Sequence, residues 1–389
     1  MCRLLKRNPA DRMGVPRLRD RGELALADSL LGAAPEDLID VLTEIALGGP
    51  GACALRALGR LASAEAFGSD DALAAAAALA EGLRSLFNQP TAMAMIRGRE
   101  LDAPYWRHVV DYSIAGSLQA VLDEYLHVLR EANGHAGRDD VVALRDVAEA
   151  AAEALGMRTS RVGVDEIRVD SVESRVDFKR FHLRTRFALR FGELKDDSGE
   201  VLARAGSVRQ AFNSPFPPFI LASTAIGQEG LDFHCYCHAL YHWNLPSNPV
   251  YLEQREGRIQ RFKGHAVRRN VAADVGLAGL RGRWAGHGDP WDVLFGAAAE
   301  QVEDQVGGLI LYWIYEGEGQ GAARVERRVP MLLMSREVGQ LKRLKRGLAL
   351  YRLAFGQPRQ EEMLAFLGEN GGAGGVQGIC LAPFVFDAE

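Results

Sequence analysis

Over the first 160 positions apolar residues recur at intervals of three and four and do not alternate, the pattern of helices with one buried face. Ala72 to Leu86 (ALAAAAALAEGLRSL) is built from strong helix formers. Tyr105 to Glu131 carries Val110, Leu118, Val121, Leu122, Tyr125 and Leu129 at helical spacing. Gly134 and Gly137, within the polar run Asn133 to Asp140, mark a loop, and Val141 to Leu155 resumes a helix. The stripe through Leu118, Val121, Leu122 and Tyr125 reads as core ahead of a cofactor box, and Tyr105 and Trp106 read as buried anchors ahead of a binding feature. Residues 1–160 are therefore expected to form a helical bundle or insertion.

From Arg161 the period changes. VGVDEIRVD (162–170) and FHLRTRFALRF (181–191) alternate apolar with polar residues, the signature of strands. The charges Arg184, Arg186 and Arg190 then fall on a face that ordinarily meets water. Ser207 to Phe212 predicts a short helix. Phe219 to Ala222, an apolar run flanked by prolines, predicts a buried strand of a parallel sheet. A polar loop, Ser223 to Asp232, follows with Gly227 and Gly230, where a backbone comes close to a ligand or a neighbouring domain. Ligands of open α/β sheets bind at such strand ends. A second apolar run, Ala239 to Trp243, leads through Pro246 and Pro249 into a predicted helix bearing Gln254, Arg255, Gly257, Arg258 and Arg261. Arginines three apart share a helix face.

Beyond Asn270, Asp289 to Val306 predicts a helix opened by Pro290, Leu309 to Tyr315 a short buried element, and Val338 to Leu353 a helix with a solvated basic face at Lys342, Arg343, Lys345, Arg346 and Arg352. Gly368 to Gly378 reads as a Gly-rich linker before a last apolar strand, Ile379 to Phe386.

Composition bounds the function. The 389 residues are enough for two or three domains, and a net charge of −5 means that any nucleic-acid contact rests on a local patch. Arg258, Arg261, Lys263, His265, Arg268 and Arg269 supply one in sequence. Five irregularly spaced cysteines argue against a disulfide framework, and no signal peptide or apolar run of membrane-spanning length is present. The cytoplasm and no membrane partner are the expectation. His234, Cys235, Cys237, His238 and His242 invite a zinc hypothesis, but on a strand Cys235 and Cys237 face away from His234 and His238. No metal site is expected there.

Strand, S-T-x-x-G-x-E-G-L-D, strand, N-L-P-x-N-P and E-Q-R-x-G-R-x-x-R, in that order, resemble the second RecA-like domain of superfamily 2 helicases, closest to the Swi/Snf-type and RNA-polymerase-recycling translocases. Ser223 to Asp232 is similar to that family's motif V, and Gln254 to Arg261 to its motif VI. The resemblance covers Ala211 to Asn270 closely and Arg180 to Asn270 more loosely. It implies an α/β fold, a RecA-like parallel sheet with helices on both faces. The implied organisation is a helical insertion at 1–160, the motor domain at 161–275 and a mixed extension at 276–389.

The resemblance also implies roles. Arg258 and Arg261 would stabilise charge on a transferring γ-phosphoryl group, the work of an arginine supplied from a facing domain. Gly230, Asp232 and Gln254 would belong to the nucleotide site, with Asp232 contacting ribose or bracing the arginines. Ser223, Thr224 and Gly227, with Arg268 and Arg269 from the basic patch, would contact nucleic acid, DNA ahead of RNA. No G-x-x-x-x-G-K-[ST] loop and no D-E-x-H or D-E-x-D stretch occurs in the sequence. ATP and Mg²⁺ would thus be held mainly by a first RecA-like domain, in cis or on a separate chain. Truncation, a split gene or degeneration would each leave the sequence in that state, and the retained arginines favour the first two. Acting alone the chain is expected to be inactive. The contrasting expectation is a non-catalytic nucleic-acid-binding module.

Overall fold

The structure, a computed structural model, describes residues 36–98, 103–156, 160–170, 175–185, 205–222, 232–301, 310–315, 317, 322–330 and 336–354. The chain divides into two compact units, Met1–Thr224 with Val271–Leu311 and Ala225–Asn270 with Tyr312–Glu389.

The first unit is built on helices α1 (Leu38–Gly48), α2 (Pro50–Leu61), α3 (Ala64–Phe67), α4 (Asp70–Phe87), α5 (Pro90–Arg97), α6 (Tyr105–Ala115), α7 (Leu118–Ala132) and α8 (Val141–Leu155). Their ends follow from local chemistry. The Ser69 hydroxyl accepts from the Ala72 N–H at 3.2 Å to start α4, and the Asp140 carboxylate accepts from Val142 and Ala143 to start α8. The run of helical spacing from Tyr105 forms two helices. Gly116 closes α6 and Ser117, at φ 50°, turns the chain before α7.

The core draws Leu58 from α2, Leu79 and Leu83 from α4, Leu122, Tyr125 and Leu126 from α7, and Val147 and Ala148 from α8. Each fully buried leucine contributes about 1.5–3 kcal/mol. Gly82 allows close approach, since a Cβ there would lie 3.1 Å from Leu155 Cβ. The predicted core stripe on α7 is observed at Leu118, Leu122 and Tyr125. Trp106 is not the buried anchor expected: it is exposed, with the Arg107 guanidinium over its ring.

The alternating segments form an antiparallel hairpin, β1 (Ser160–Asp170) and β2 (Arg175–Thr185), in register from Ser160 opposite Thr185 to Asp170 opposite Arg175. Helix α9 (Ala205–Phe212) follows, close to the expected 207–212.

In the second unit β3 (Ala239–Tyr241) precedes α10 (Pro249–Glu256) and α11 (His265–Arg283), whose helical path is interrupted at Gly276 (φ 61°, ψ 178°) and whose residues from Val271 on belong to the first unit. The first unit then adds α12 (Pro290–Gln301), α13 (Ile310–Trp313) runs through the second boundary, and the second unit closes with β4 (Glu326–Arg328) and α14 (Glu337–Ala354). β4 pairs with β3 in parallel, Ala239 opposite Glu326. Leu245, Leu252 and Leu344 form a small buried cluster with Val329 and Leu341 at its edge. Asn270 clamps the later segment, donating to the Tyr315 and Ala323 carbonyls and accepting from the Ala323 N–H at 2.6 Å.

The expected RecA-like parallel sheet with helices on both faces is not the fold observed. The described residues are mostly helical, and their only parallel pairing is the two-stranded β3–β4. Phe219 to Ala222, expected as a buried strand, has no regular structure, and Phe219 and Ile220 are 73% and 79% exposed. An apolar run is a local signal, whereas a strand needs a partner from elsewhere in the chain, and Pro217 and Pro218 beside it lack the N–H groups a ladder uses. The final strand expected at 379–386 lies outside the described residues. No single helix among the described residues is long and apolar enough to cross a membrane.

The β3–β4 pair is tied to α10 through Glu256, whose carboxylate meets Arg327 in a two-pronged pair and His242 Nε2 at 3.3 Å. Burial raises the Glu256 carboxyl, but the hydrogen bonds from His242 and Arg327 and the Arg327 charge outweigh it and hold it at about 2. A folded-state value below the unfolded one stabilises above about pH 4.5 and is lost as pH falls from 4.5 towards 2. Urea unfolding should therefore show the second unit losing stability between pH 4.5 and 2, and Glu256→Gln should abolish that component. An unchanged acid profile in Glu256→Gln would place the acid sensitivity elsewhere.

Candidate functional site

Helix α10 starts on Asn248, whose side-chain oxygen accepts from the Val250 N–H at 2.9 Å, and stops at Gly257, whose N–H donates to the Glu253 carbonyl at 2.7 Å. The expectation that Arg258 and Arg261 share a helix face is therefore corrected. Both lie after the helix, in turns where Ile259 and Gln260 donate back to Glu256 and Gly264 donates to Arg261. Ile259 is buried and anchors these turns, leaving Arg258 and Arg261 half-buried beside it.

These turns close against the segment that ends the predicted ligand loop. The Phe233 N–H donates to the Arg258 carbonyl at 2.9 Å, and Arg261 Nη2 lies 3.2 Å from Asp232 Oδ1. The Asp232 carboxylate and the Arg261 guanidinium are 49% and 38% exposed, so the pair positions the arginine more than it stabilises the fold. Arg261 Nε is buried and makes no hydrogen bond within the described residues. A guanidinium with a buried donor still unmatched and a partly open fork suits an anionic oxygen cluster.

The other residues singled out by sequence divide clearly. Gln254 is exposed on α10, and Arg269 is exposed in the first turns of α11. Arg268, expected on a nucleic-acid-binding surface, is instead 1% exposed, donating to the Lys263 carbonyl at 2.7 Å and the Cys235 carbonyl at 2.5 Å over the Tyr236 ring. Lys263 is also buried, its ammonium over the Phe262 and Tyr312 rings. The six-residue basic patch thus keeps three surface arginines, Arg258, Arg261 and Arg269. Ser223, Thr224, Gly227 and Gly230 lie outside the described residues.

Residues 234–236 form a turn where a strand was expected, so the alternation argument for the cysteines and histidines does not apply. Cys235 Sγ is 4.0 Å from His234 Nε2, and His238 and His265 have ring centroids 5.3 Å apart. Burial lowers the His234 value and raises the Cys237 thiol.

Sequence reasoning missed a second constellation, in the helical unit. On α7, His127 is fully buried, with Nδ1 2.7 Å from Asp289 Oδ2 and its ring stacked with Trp291 and Phe295. Arg130 Nη2 bridges Asp289 at 2.8 Å and Asp292 at 2.5 Å. Burial raises the Asp289 carboxyl, but the His127 hydrogen bond and the charges of His127 and Arg130 outweigh it and hold the group below its ordinary value. Asp123, also on α7, is pushed up to about 6 by burial despite Arg60 and Gln119. The only local signal was His127 and Glu131 one helical turn apart; the partners of His127 and Arg130, Asp289 and Asp292, stand 162 residues away.

Searches of protein-family models, of curated proteins and of solved structures found no match to the chain.

Proposed function

We propose that this chain supplies the arginine-bearing element of an ATP-dependent DNA translocase, with Arg258 and Arg261 directed at the phosphates of a nucleotide held by a phosphate-loop domain elsewhere. The observation that carries this is the closure of the two sequence motifs on each other, Asp232 on Arg261 and the Phe233 N–H on the Arg258 carbonyl. The reading rests on that juxtaposition and on the motif residues, independently of the parallel sheet.

Phosphoryl transfer is catalysed mostly by positioning and charge stabilisation, and the planar guanidinium fork matches two phosphate oxygens. Asp232 holds Arg261 in register until a nucleotide competes for its donors. The phosphate-loop domain would hold ATP with Mg²⁺, and this chain adds positive charge as the γ-phosphoryl group departs. Gln254, exposed on α10, and Gly230 serve the nucleotide in this reading. Ser223, Thr224, Gly227 and Arg269 contact DNA, and the compartment is the cytoplasm.

The lack of an extended parallel sheet among the described residues favours a second reading, a DNA-binding module without ATP chemistry. One experiment separates the two. Alone, the chain should bind DNA and hydrolyse no ATP, and the assembly isolated from its native cell through a tag on this chain should hydrolyse ATP when DNA is added. DNA binding without stimulated hydrolysis in that assembly would leave the second reading. In either case Arg269→Ala should flatten the dependence of log affinity on log salt by about one, the signature of one lost phosphate contact.

A further inference from the structure

Helix α14 has two unlike sides. Leu344, Leu348 and Ala349 are buried, and Leu341 packs at the edge of the cluster that Leu344 forms with Leu245 and Leu252. Lys342, Arg343 and Arg346 are exposed, Lys345 is half-buried among them, and Arg336 is exposed just before the helix. The apolar side anchors the helix in the second unit, so the cations are carried by a fixed element and not by a loop.

Their pairing sets these cations apart from other basic residues of the unit. Arg327 meets Glu256, Arg328 meets Glu326 and Arg352 meets Glu253. Among the described residues, Lys342, Arg343, Lys345 and Arg346 meet no carboxylate. They are also like-charge neighbours at helical spacing, Lys342 with Lys345 and Arg346, and Arg343 with Arg346, which destabilises a helix. The helix dipole does not compensate, because it favours cations in the last turn, where Arg352 alone is basic. In a chain of net charge −5, the run is a local positive field that a polyanion relieves.

An exposed aromatic side chain stands on a loop held to the same helix. Trp243, after β3, is 79% exposed. From α14, Gln340 Nε2 donates to the Pro246 carbonyl at 3.1 Å, and from α10, Arg255 Nη1 donates to the Asn244 carbonyl at 2.8 Å. A bare indole on a pinned loop next to a row of cations suits a strand with unstacked bases, the ring taking a base face and the cations the backbone.

We propose that α14 and the Trp243 loop form a binding surface for single-stranded DNA, with Lys342, Arg343 and Arg346 on phosphates and Trp243 on a base. The surface rests on the reading that the chain binds DNA, and it adds a contact region outside the two motifs. Duplex DNA keeps its base faces in the stack and meets the cations alone.

Full-length chain titrated with a fluorescent single-stranded oligonucleotide over a range of salt concentrations tests this. Replacing Lys342, Arg343 and Arg346 together by glutamine should lower the slope of log affinity against log salt by about two, since each single-strand phosphate contact contributes about 0.7. Trp243→Ala should leave the slope unchanged and weaken binding about fivefold or more, the effect of one lost base stack, and Trp243→Phe should recover most of it. Duplex of the same sequence should respond to the triple substitution and not to Trp243→Ala. All four side chains are exposed, so the variants should keep the helical circular dichroism of the unsubstituted chain.

An unchanged salt slope in the triple variant, in an assay where Arg269→Ala lowers it, would overturn this surface and leave DNA binding by the chain standing. Absence of DNA binding by the unsubstituted chain would overturn both. Equal single-strand affinity in Trp243→Ala would remove the base contact and with it the preference for a single strand. Capture of the chain by anionic phospholipid vesicles through the same three cations, with oligonucleotide binding unchanged in the triple variant, would reassign the surface to a membrane.

Discussion

Arg261→Ala should lower DNA-stimulated ATP turnover of the complete assembly by about a thousandfold or more, the effect of withdrawing an arginine finger, while DNA affinity hardly moves. Arg258→Ala should do the same. Arg261→Lys should restore little, because a point charge cannot engage two phosphate oxygens as the planar fork does. Asp232→Ala offers a graded control: it frees Arg261 from its 3.2 Å pair without removing the guanidinium, so its cost in turnover should be much smaller. Steady-state turnover at saturating DNA, beside DNA affinity for the same variants, decides the matter. Near-normal turnover with lost DNA affinity in Arg261→Ala would make the turns after α10 a binding face and end the arginine-finger assignment.

The helices were legible because their signals are local. Helix-former runs and periodic apolar positions placed α4, α8, α12 and α14 within a few residues, and Gly116 with Ser117 parts α6 from α7 for the ordinary reason that glycine ends helices. Gly257 gave the same kind of stop signal. The spacing of Gln254, Arg258 and Arg261 carried the expected helix past it to Arg261, and the structure ends α10 at Glu256. Strand identity was not legible from Phe219 to Ala222, because pairing partners lie far away in sequence and no run of four residues encodes them. Separation in sequence also hid the partnership of His127 with Asp289. By contrast, the approach of Asp232 to Arg261 joined two stretches already singled out as motifs, so that one contact was readable even though the fold inferred around it was not.

Arg268 inverts the usual expectation for an arginine in a basic run, and the consequence is a large stability effect with no direct effect on DNA binding. Lys263, just before α11, adopts φ 47°, a conformation uncommon for residues other than glycine. It is held on two sides, its N–H donating to the Tyr312 carbonyl at 2.6 Å and its carbonyl accepting from Arg268 Nη1. The same guanidinium donates through Nη2 to the Cys235 carbonyl in the 234–236 turn and covers the Tyr236 ring at 5.1 Å. Arg268 therefore fastens two irregular segments that flank the Asp232–Arg261 site. Truncation to alanine leaves two carbonyls without this donor and opens a cavity beside Tyr236. With about 1–3 kcal/mol for each buried acceptor left unmatched, Arg268→Ala should destabilise the second unit by about 3 kcal/mol or more. Arg268→Lys should recover only part, since a single ammonium cannot span both carbonyls in the fork geometry and stack on the ring. Arg269→Ala, one residue on and exposed, should leave stability unchanged within about 0.5 kcal/mol. Urea unfolding of the three variants, paired with DNA affinity measured where each remains folded, tests the contrast. Wild-type stability in Arg268→Ala together with weakened, less salt-dependent DNA binding would return Arg268 to the surface and remove it from the clasp.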